Sequence, residues 1–535
     1  MFRCGLLVIN PSCIKASIPQ IIKVASKDIR DVLYVDLFNS KAACLSTTYS
    51  LLLQVYGRSH RSLGNVDIKV LLPELGQPKP RVLSKQPDIT LVVDFPESSE
   101  EDNTLDNIKT WINERFWGLS EVQSRIVHLN KDLSLLSSES SIDLASIPSL
   151  KVYDEVALGG TFDRIHDGHR LLLGVACLLC ERKITVGLSD GPLLERKVLK
   201  ELIQSFEERK RIVEELIEDI RPGLQHNIVP LTDPIGPAGT DPNLKCLIVS
   251  KETEKGIAFV NEARRKSSLQ DLEAHVIDIV TEETAMFTPG KSDDAEKMSS
   301  TIERHKLLGK LLRPVKSIPR KRSSERPYII GLTGGIASGK SAISKRLEKL
   351  GAAVINCDLL GHLAYAPGKK AYGQIVESFG EEVLANDGTI NRKALGTIVF
   401  ADKDKLSELN KIVWPEIMNL VEEKISIFAS QGAQVCVVEA AVLLEAGWDS
   451  VVDEIWVTFV PEGEAINRML SRDKMNEQQA INRVRAQMSN EDRVSHAHVA
   501  LSSLWEPEYT QKQVERAWKG LQERITALPS NQSAL

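Results

Sequence analysis

Residues 328–341 read Tyr-Ile-Ile-Gly-Leu-Thr-Gly-Gly-Ile-Ala-Ser-Gly-Lys-Ser, an apolar run that enters a glycine-rich loop and opens a helical pattern. The spacing G-x-x-x-x-G-K-[ST] is met by Gly334, Gly339, Lys340 and Ser341, and residues 342–350 carry apolar side chains at helical intervals. A strand that turns this tightly into a helix belongs to a parallel α/β sheet. Glycines let backbone N–H groups close around phosphate oxygens, and the helix start adds its partial positive charge. The loop predicted to hold the phosphates of a nucleoside triphosphate is Gly334, Gly335, Ile336, Ala337, Ser338, Gly339, Lys340 and Ser341, with Lys340 as the cation and Ser341 as the ligand of a Mg²⁺ ion.

A chain of 535 residues exceeds one hydrophobic core and predicts about three domains. The net charge of −6 argues against a general nucleic-acid binder while leaving room for a local phosphate pocket. Eight cysteines, at 4, 13, 44, 177, 180, 246, 357 and 436, show no disulfide spacing and fit a reducing compartment. Cys177 and Cys180 form C-x-x-C inside the apolar run Leu171 to Cys180, which lacks a second pair, so they read as core residues. That run is too short to span a bilayer, and no transmembrane segment is expected. The first 27 residues lack acids and carry Arg3, Lys15, Lys23 and Lys27, a pattern transit segments share, but an ordinary first strand and helix is the expected reading.

Three segments follow from the patterning. Residues 1–150 hold strand-like runs such as Val32 to Val35 and Ile89 to Val93, with polar breaks at Pro96 to Asp102 and Ser134 to Ser141. This extra N-terminal α/β region carries no chemical motif, and docking to a protein or organelle, targeting and regulation remain open for it. Residues 151–312 alternate strands (Val156 to Leu158, Ile184 to Leu188, Leu247 to Val249) with helical patterns such as Phe206 to Ile220. Residues 313–327 are basic, proline-bearing and aperiodic, and read as a linker. Residues 328–535 form the P-loop domain, ending in a polar tail after Pro529. No internal sequence repeat is evident.

In the second segment Gly159-Gly160-Thr161-Phe162-Asp163 leads to His166-Asp167-Gly168-His169 at a strand-to-helix junction. Two imidazoles one short turn apart over a helix N-terminus present donors to a triphosphate. Nucleotidyl transfer there needs only an attacking phosphate held in line and charge stabilised on the α-phosphate. Val249-Ser250-Lys251-Glu252-Thr253 stands at a strand end, where such sheets put ligands, and Lys297-Met298-Ser299-Ser300-Thr301-Ile302-Glu303-Arg304 offers hydroxyls at a helix start.

With Ser205 to Arg209 and Asp233 to Asp241, these stretches resemble the eukaryotic form of pantetheine-phosphate adenylyltransferase, a Rossmann-like nucleotidyltransferase, over residues 154–312. The resemblance implies that His166 and His169 are catalytic, with Lys197 as the transition-state lysine and Lys200 as its alternative. It implies ATP contacts from Gly160, Thr161, Phe162, His169, Ser250, Glu252, Thr253, Ser299, Ser300, Thr301 and Arg304, and 4′-phosphopantetheine as acceptor.

Beyond the P-loop, Val354 to His362 puts Asp358 at a strand end, where it can position or deprotonate an acceptor hydroxyl beside catalytic Lys340; its structural alternative is a helix N-cap. Arg468, Arg472, Arg483 and Arg485 suit a lid over phosphate charge. GLTGGIASGKS, Asn356-Cys357-Asp358, Tyr365 to Gly368, Ile390 to Arg392 and Val442 to Glu445 resemble dephospho-CoA kinase over residues 328–535. Asn356, Trp414-Pro415 and Ala441-Val442 depart from the family pattern. The resemblance implies ATP contacts from the P-loop with Arg472 and Arg483, and dephospho-CoA as acceptor.

The two in this order resemble the bifunctional coenzyme A synthases, which implies the last two steps of coenzyme A biosynthesis, with ATP as co-substrate, Mg²⁺ as cofactor and small-molecule partners. A cytoplasmic location is expected, with the mitochondrial matrix or outer surface as the alternative. The competing reading is a P-loop nucleotide-dependent switch with a non-catalytic nucleotidyltransferase-like module. It requires a guanine-specifying Asn-Lys-x-Asp element, and none follows Lys340. A class I aminoacyl-tRNA synthetase would share the histidine and KMSST echoes but would leave the P-loop unexplained.

Overall fold

In the computed structural model, which describes residues 1–9, 18–38, 45–56, 66–73, 80–93, 105–119, 123–127, 149–277, 299–315, 326–473 and 475–527, three five-stranded parallel sheets follow one another along the chain. The two polar breaks expected near residues 100 and 140, Lys297-Met298, most of the expected linker and the tail after Pro529 lie outside the described residues.

The first sheet contains β1 (Phe2–Ile9), β2 (Ile29–Leu37), β3 (Asp67–Val70), β4 (Ile89–Val93) and β5 (Gln123–Val127), with helices α1 (Ile18–Ser26), α2 (Leu45–Tyr56) and α3 (Leu105–Arg115). The second contains β6 (Tyr153–Gly160), β7 (Cys180–Ser189), β8 (Gln225–Leu231), β9 (Cys246–Ser250) and β10 (Glu273–Ile277), with α4 (Asp167–Leu179), α5 (Phe206–Ile220) and α6 (Gly256–Lys266); α7 (Ser300–Leu307) follows. The third is built from β11 (Tyr328–Gly334), β12 (Ala353–Asn356), β13 (Val435–Glu439), β14 (Glu454–Phe459) and β15 (Val499–Ser502). Its helices are α8 (Lys340–Lys349), α9 (Cys357–Ala364), α10 (Lys370–Phe379), α11 (Arg392–Ala401), α12 (Lys403–Ser430), α13 (Glu462–Asp473), α14 (Glu477–Arg485), α15 (Asn490–His496) and α16 (Pro507–Thr526).

Central strands such as Tyr-Ile-Ile-Gly-Leu-Thr-Gly in β11 are buried throughout, as a parallel sheet covered on both faces requires of its sequence. The first sheet runs β3-β2-β1-β4-β5 and the second β10-β9-β6-β7-β8, so in both the opening strand is central and successive strands add outward on each side. The absence of a sequence repeat therefore conceals a repeat of topology. Phe2–Ile9 forms the central strand of the first sheet, in line with the reading of the opening residues as an ordinary strand.

The chain divides into two compact units at Glu303/Arg304. The first two sheets belong to one unit because they share a hydrophobic core in which Leu51, Leu52 and Val55 of α2 join Leu171, Val175 and Leu178 of α4. The sequence reading ended the second segment at residue 312, whereas residues 304–312 belong to the second unit. Their backbone explains it: Gly309 N–H donates to Ala500 O at 2.9 Å, Leu312 N–H to His498 O at 2.8 Å, and Leu311 bridges Val499 antiparallel on the edge strand β15. Nearby, His305 Nδ1 shares a hydrogen bond with Tyr509 Oη at 3.1 Å, and its ring lies 4.4 Å from Trp505.

Gly309 has a φ of +76°, and a Cβ there would fall 2.3 Å from Gln513 O, so only glycine fits. Gly309→Ala is expected to destabilise the second unit by about 2 kcal/mol or more, from left-handed strain plus a clash with backbone that cannot rotate away. Chemical denaturation of wild type and variant, followed by the fluorescence of Trp505 and Trp518, reads this directly.

Candidate functional sites

Strands leave β6 on both sides, β7 on one and β9 on the other, so a crevice opens at its carboxyl end, where α/β sheets hold ligands. The chain turns there with Phe162 at φ +47° and Arg164 at φ +52°, strained values for side chains of this size. Buried neighbours hold the turn. Arg209, 1% exposed, donates to Thr161 O and Ser189 O, both at 2.9 Å, and so ties the ends of β6 and β7 together. Its neighbour Ser205 caps α5 by accepting from Glu208 N–H at 3.2 Å, and buried Asp163 accepts from Gln204 N–H at 3.0 Å.

This frame presents the two histidines. Their rings stack at 3.9 Å between centroids, and His169 stacks in turn on buried Phe162 at 4.9 Å. Desolvation, then the Arg170 guanidinium, push the His166 imidazole down to about 4 from an ordinary 6.5, against the opposing Glu303 carboxylate. Desolvation, followed by His166 and Arg170, holds His169 well below the ordinary value. Both rings are thus neutral at pH 7, and in both the buried Nδ1 has no hydrogen-bond partner. Orphaned polar atoms in a crevice at a helix start are what an incoming polar ligand satisfies.

Glu303 acting on His166 brings the start of α7 to the same place, and Ser299 Oγ accepts from Ile302 N–H at 3.3 Å as that helix opens. Ser300 and Thr301 are half-buried in its first turn, and Arg304 is buried one residue past the division of the units. Ser250 ends β9, beside β6, and shares a hydrogen bond with exposed Thr253 at 3.2 Å; Glu252 between them is exposed. Lys197 is exposed in the turns after β7, while Lys200 donates to Glu195 Oε2 at 2.7 Å. Leu199, at φ +54°, interrupts the chain between them, so the two lysines do not share a helix face. Cys177 and Cys180 are buried, and burial pushes the Cys180 thiol up to about 11, as inert core residues require.

In the second unit β11 lies between β13 and β14, and the P-loop follows it at the equivalent switch point. Gly339 at φ +92° and Ala337 at φ +59° make the turn. Lys340 Nζ donates to Gly334 O at 2.8 Å and Gly335 O at 3.2 Å, folded over its own loop. Desolvation lowers its pKa, while Asp358 and Glu439 oppose the shift.

Glu439 belongs to no local motif, yet it stands beside the loop, because the register pairs this last residue of β13 with Leu332, two residues before Gly334. Its buried carboxylate accepts from Ser341 Oγ and Ser344 Oγ, both at 2.8 Å, and from Asn356 Nδ2 at 3.4 Å. Ser341 and Glu439 supply hard oxygen donors, which suit Mg²⁺. Asn356, not Asp358, caps α9, accepting from Leu359 N–H at 3.2 Å. Asp358 stands in the first turn of α9, open to solvent on one side; desolvation, with Glu439 adding to it, raises its carboxyl above the ordinary range, and Lys340 opposes.

Of the lid arginines, Arg468 reaches the loop, donating to Ala337 O at 3.1 Å and Ser503 O at 2.6 Å. Arg472 is exposed and held by Asp473 at 2.6 Å, Arg483 is exposed and acts on Asp473, and Arg485 pairs with Glu462 at 2.9 Å. A second residue outside the local motifs is Arg493, 2% exposed, bonded to Glu445 at 3.3 Å, with its NH1 3.2 Å from where a Gly335 Cβ would stand. Gln487 Oε1 accepts from Ile336 N–H at 2.7 Å, bracing the loop from the same side.

No helix among the described residues is long and apolar enough to cross a membrane. Because the buried histidine is neutral in the folded state, its contribution to stability is complete above about 6.5 and is lost as the pH falls toward 4. Between pH 7 and pH 5 the stability of the first unit is expected to fall by about 2 kcal/mol less in His166→Gln than in wild type. Urea titrations of both proteins at the two pH values measure it, and equal losses would refute it.

Comparison with known proteins finds two families along the chain. Residues 328–504 match the family described as dephospho-CoA kinase, and residues 157–306 the one described as cytidylyltransferase-like. The dephospho-CoA kinase of Carboxydothermus hydrogenoformans is 41% identical over 186 residues, 35% of this chain and 90% of that protein. That of Geobacter sulfurreducens is 42% identical over 190 residues, 36% of this chain and 96% of that protein. The solved dephospho-CoA kinase of Campylobacter jejuni aligns with 37% of this chain and 98% of its own at 22% identity and a TM-score of 0.30, too low to add to the assignment. These matches do not favour a signalling switch. The chain belongs to the dephospho-CoA kinase family, carrying that domain behind a cytidylyltransferase-like one in the order of the bifunctional coenzyme A synthases.

Proposed function

We propose that the chain catalyses two consecutive ATP-dependent reactions. In the segment expected over residues 151–312, a phosphate oxygen of 4′-phosphopantetheine attacks the α-phosphorus of ATP, the bond to the β-phosphate breaks, and dephospho-CoA and pyrophosphate result. In residues 328–535 the ribose 3′-hydroxyl oxygen of dephospho-CoA attacks the γ-phosphorus of a second ATP, giving coenzyme A and ADP. The observation that carries this reading is the pair of neutral, stacked imidazoles with unpartnered Nδ1 atoms at one switch point, and Lys340, Ser341, Glu439 and Asp358 gathered at the other.

For the first step, neutral imidazoles each offer an N–H donor without placing a full charge beside the attacking phosphate dianion, and the N-terminus of α4 adds its partial positive charge. Gly160, Thr161 and Phe162 shape the wall, Ser250, Glu252 and Thr253 take the nucleotide side, and Ser299, Ser300 and Thr301 take the phosphates. Lys197 is the proposed transition-state lysine, since Lys200 is engaged by Glu195.

For the second step, Lys340 exchanges its two carbonyl partners for phosphate oxygens, Asp358 receives the hydroxyl proton, and its raised pKa suits that acceptance. Ser341 and Glu439 would hold Mg²⁺, which when bound neutralises charge on the β- and γ-phosphates. Arg468 and Arg493 touch the loop already, and Arg472 and Arg483 are the arms that would close on the nucleotide.

Lys340→Ala is expected to reduce 3′-phosphorylation by ~10²-fold or more while dephospho-CoA synthesis continues, and His169→Ala to do the reverse. Glu439→Ala is expected to raise the Mg²⁺ concentration needed for half-maximal kinase rate. Mass-spectrometric product analysis with 4′-phosphopantetheine, ATP and Mg²⁺ distinguishes the steps; loss of both activities in a folded Lys340→Ala or His169→Ala protein would overturn the reading of two independent sites.

A further inference from the structure

The N-terminal sheet carries no motif, yet it reaches the histidine loop. Arg170, the residue after His169, is 15% exposed and sits in the first turn of α4, where the helix macrodipole disfavours a cation. A buried guanidinium in that place requires anionic partners. One is local: Asp167 Oδ1 accepts at 3.5 Å, with Ile165 O accepting at 3.4 Å. The shorter bond comes from the other sheet, where Asp67 on β3 accepts from Arg170 NH2 at 2.5 Å.

Strand β3 is itself fixed against the second sheet. Two residues on from Asp67, Lys69 donates to Asp219 of α5 at 2.5 Å, and Ser84 donates to the same carboxylate from its N–H at 2.9 Å and its Oγ at 2.6 Å. Leu72 N–H donates to Ile220 O at 2.7 Å. Residues at i and i+2 on one strand share a face, so Asp67 and Lys69 grip two successive helices of the neighbouring sheet from one side. Below them Leu52 of α2 lies where a Cβ on Gly174 of α4 would come within 2.8 Å, a close approach of helix to side chain.

From this we infer that Asp67 is a positioning residue for the nucleotidyltransferase site: it holds Arg170, and through Arg170 the first turn of α4 on which His166 and His169 are set. The N-terminal sheet then acts as a built-in second subunit whose task is to fix the geometry of its neighbour's loop. The inference rests on the adenylyl-transfer reading for its kinetic consequence, but not for its structural one. The charged and titratable groups facing the histidines are Arg170 and Glu303 for His166, and His166 and Arg170 for His169; those facing Arg170 are Asp67, Asp167 and Tyr56. Asp67 is thus the counter-charge to the cation that both rings feel.

The test uses the full chain with Asp67→Ala, Asp67→Glu, Arg170→Ala, the double variant and Lys69→Ala. Adenylyl transfer in Asp67→Ala is expected to lose at least tenfold in kcat with KM for ATP changed less than threefold, and Asp67→Glu to recover part of it. The Arg170→Ala background should abolish any further effect of Asp67→Ala. Lys69→Ala, which removes the neighbouring interface pair without touching Arg170, is expected to stay within twofold of wild type, and 3′-phosphorylation to be unchanged in all. Hydrogen exchange in the ligand-free chain gives a readout free of activity: the Arg170 amide, which donates to His166 O at 3.0 Å, should exchange at least tenfold faster in Asp67→Ala while amides of β6 do not change. Unchanged exchange, multiplicative losses for Asp67 and Arg170, or an equal loss in Lys69→Ala would each overturn the inference. A wild-type chain that makes no dephospho-CoA would instead refute the assignment of the reaction while the exchange result still decides the positioning.

Discussion

A strand flanked by neighbours whose connections leave in opposite directions ends in a crevice lined by backbone N–H groups, and both candidate sites in this chain depend on that constraint. β6 and β11 each occupy the position, and each passes into a helix through a turn with positive φ angles. Such a turn is unstable by itself. In the first unit it is held by Arg209, which bonds the carbonyls at the ends of two adjacent strands, and in the second by Gln487, Arg468 and the lysine folded over its own loop. The chemistry sits in the loops, but the buried polar side chains beneath them set their shape before any ligand arrives.

The two sites solve the problem of polyphosphate charge differently. The histidine loop presents neutral donors whose burial keeps them uncharged, which in the proposed reaction admits an already anionic acceptor without a strong ground-state embrace. The P-loop uses a cation and a carboxylate in the same small volume, Lys340 and Glu439, each mitigating the cost of burying the other. A site that transfers a phosphoryl group to a neutral hydroxyl needs both a counter-charge for the phosphates and an acceptor for the proton, and Asp358 with its raised pKa fills the second role in the proposed mechanism.

What could be read from the sequence was whatever lies within one strand, turn and helix. Gly334 to Ser341 and His166 to His169 were legible as candidates because the groups of each loop are contiguous in sequence, and the parallel α/β class followed from alternation of short apolar runs with helical patterns. Glu439 was not legible, because its bond to Ser341 spans 98 positions and depends on β13 lying next to β11, which no local pattern states. Arg209 and Arg493 look like ordinary helix arginines until the sheet order puts them under a loop. The lid pattern singled out four arginines of which only Arg468 touches the P-loop, since helical spacing says which residues share a face but not what that face meets. Asp67 is the extreme case: an acid on a four-residue strand in a region without motifs, bonded to a residue 103 positions away.

The duplicated strand order of the first unit has a consequence for how its halves can change over time. Leu52 occupies the space that the missing side chain of Gly174 leaves, so volume is shared across the boundary between the two sheets. A side chain added at Gly174 would have to be answered by a smaller one at position 52, so each sheet limits what the other can carry at that contact.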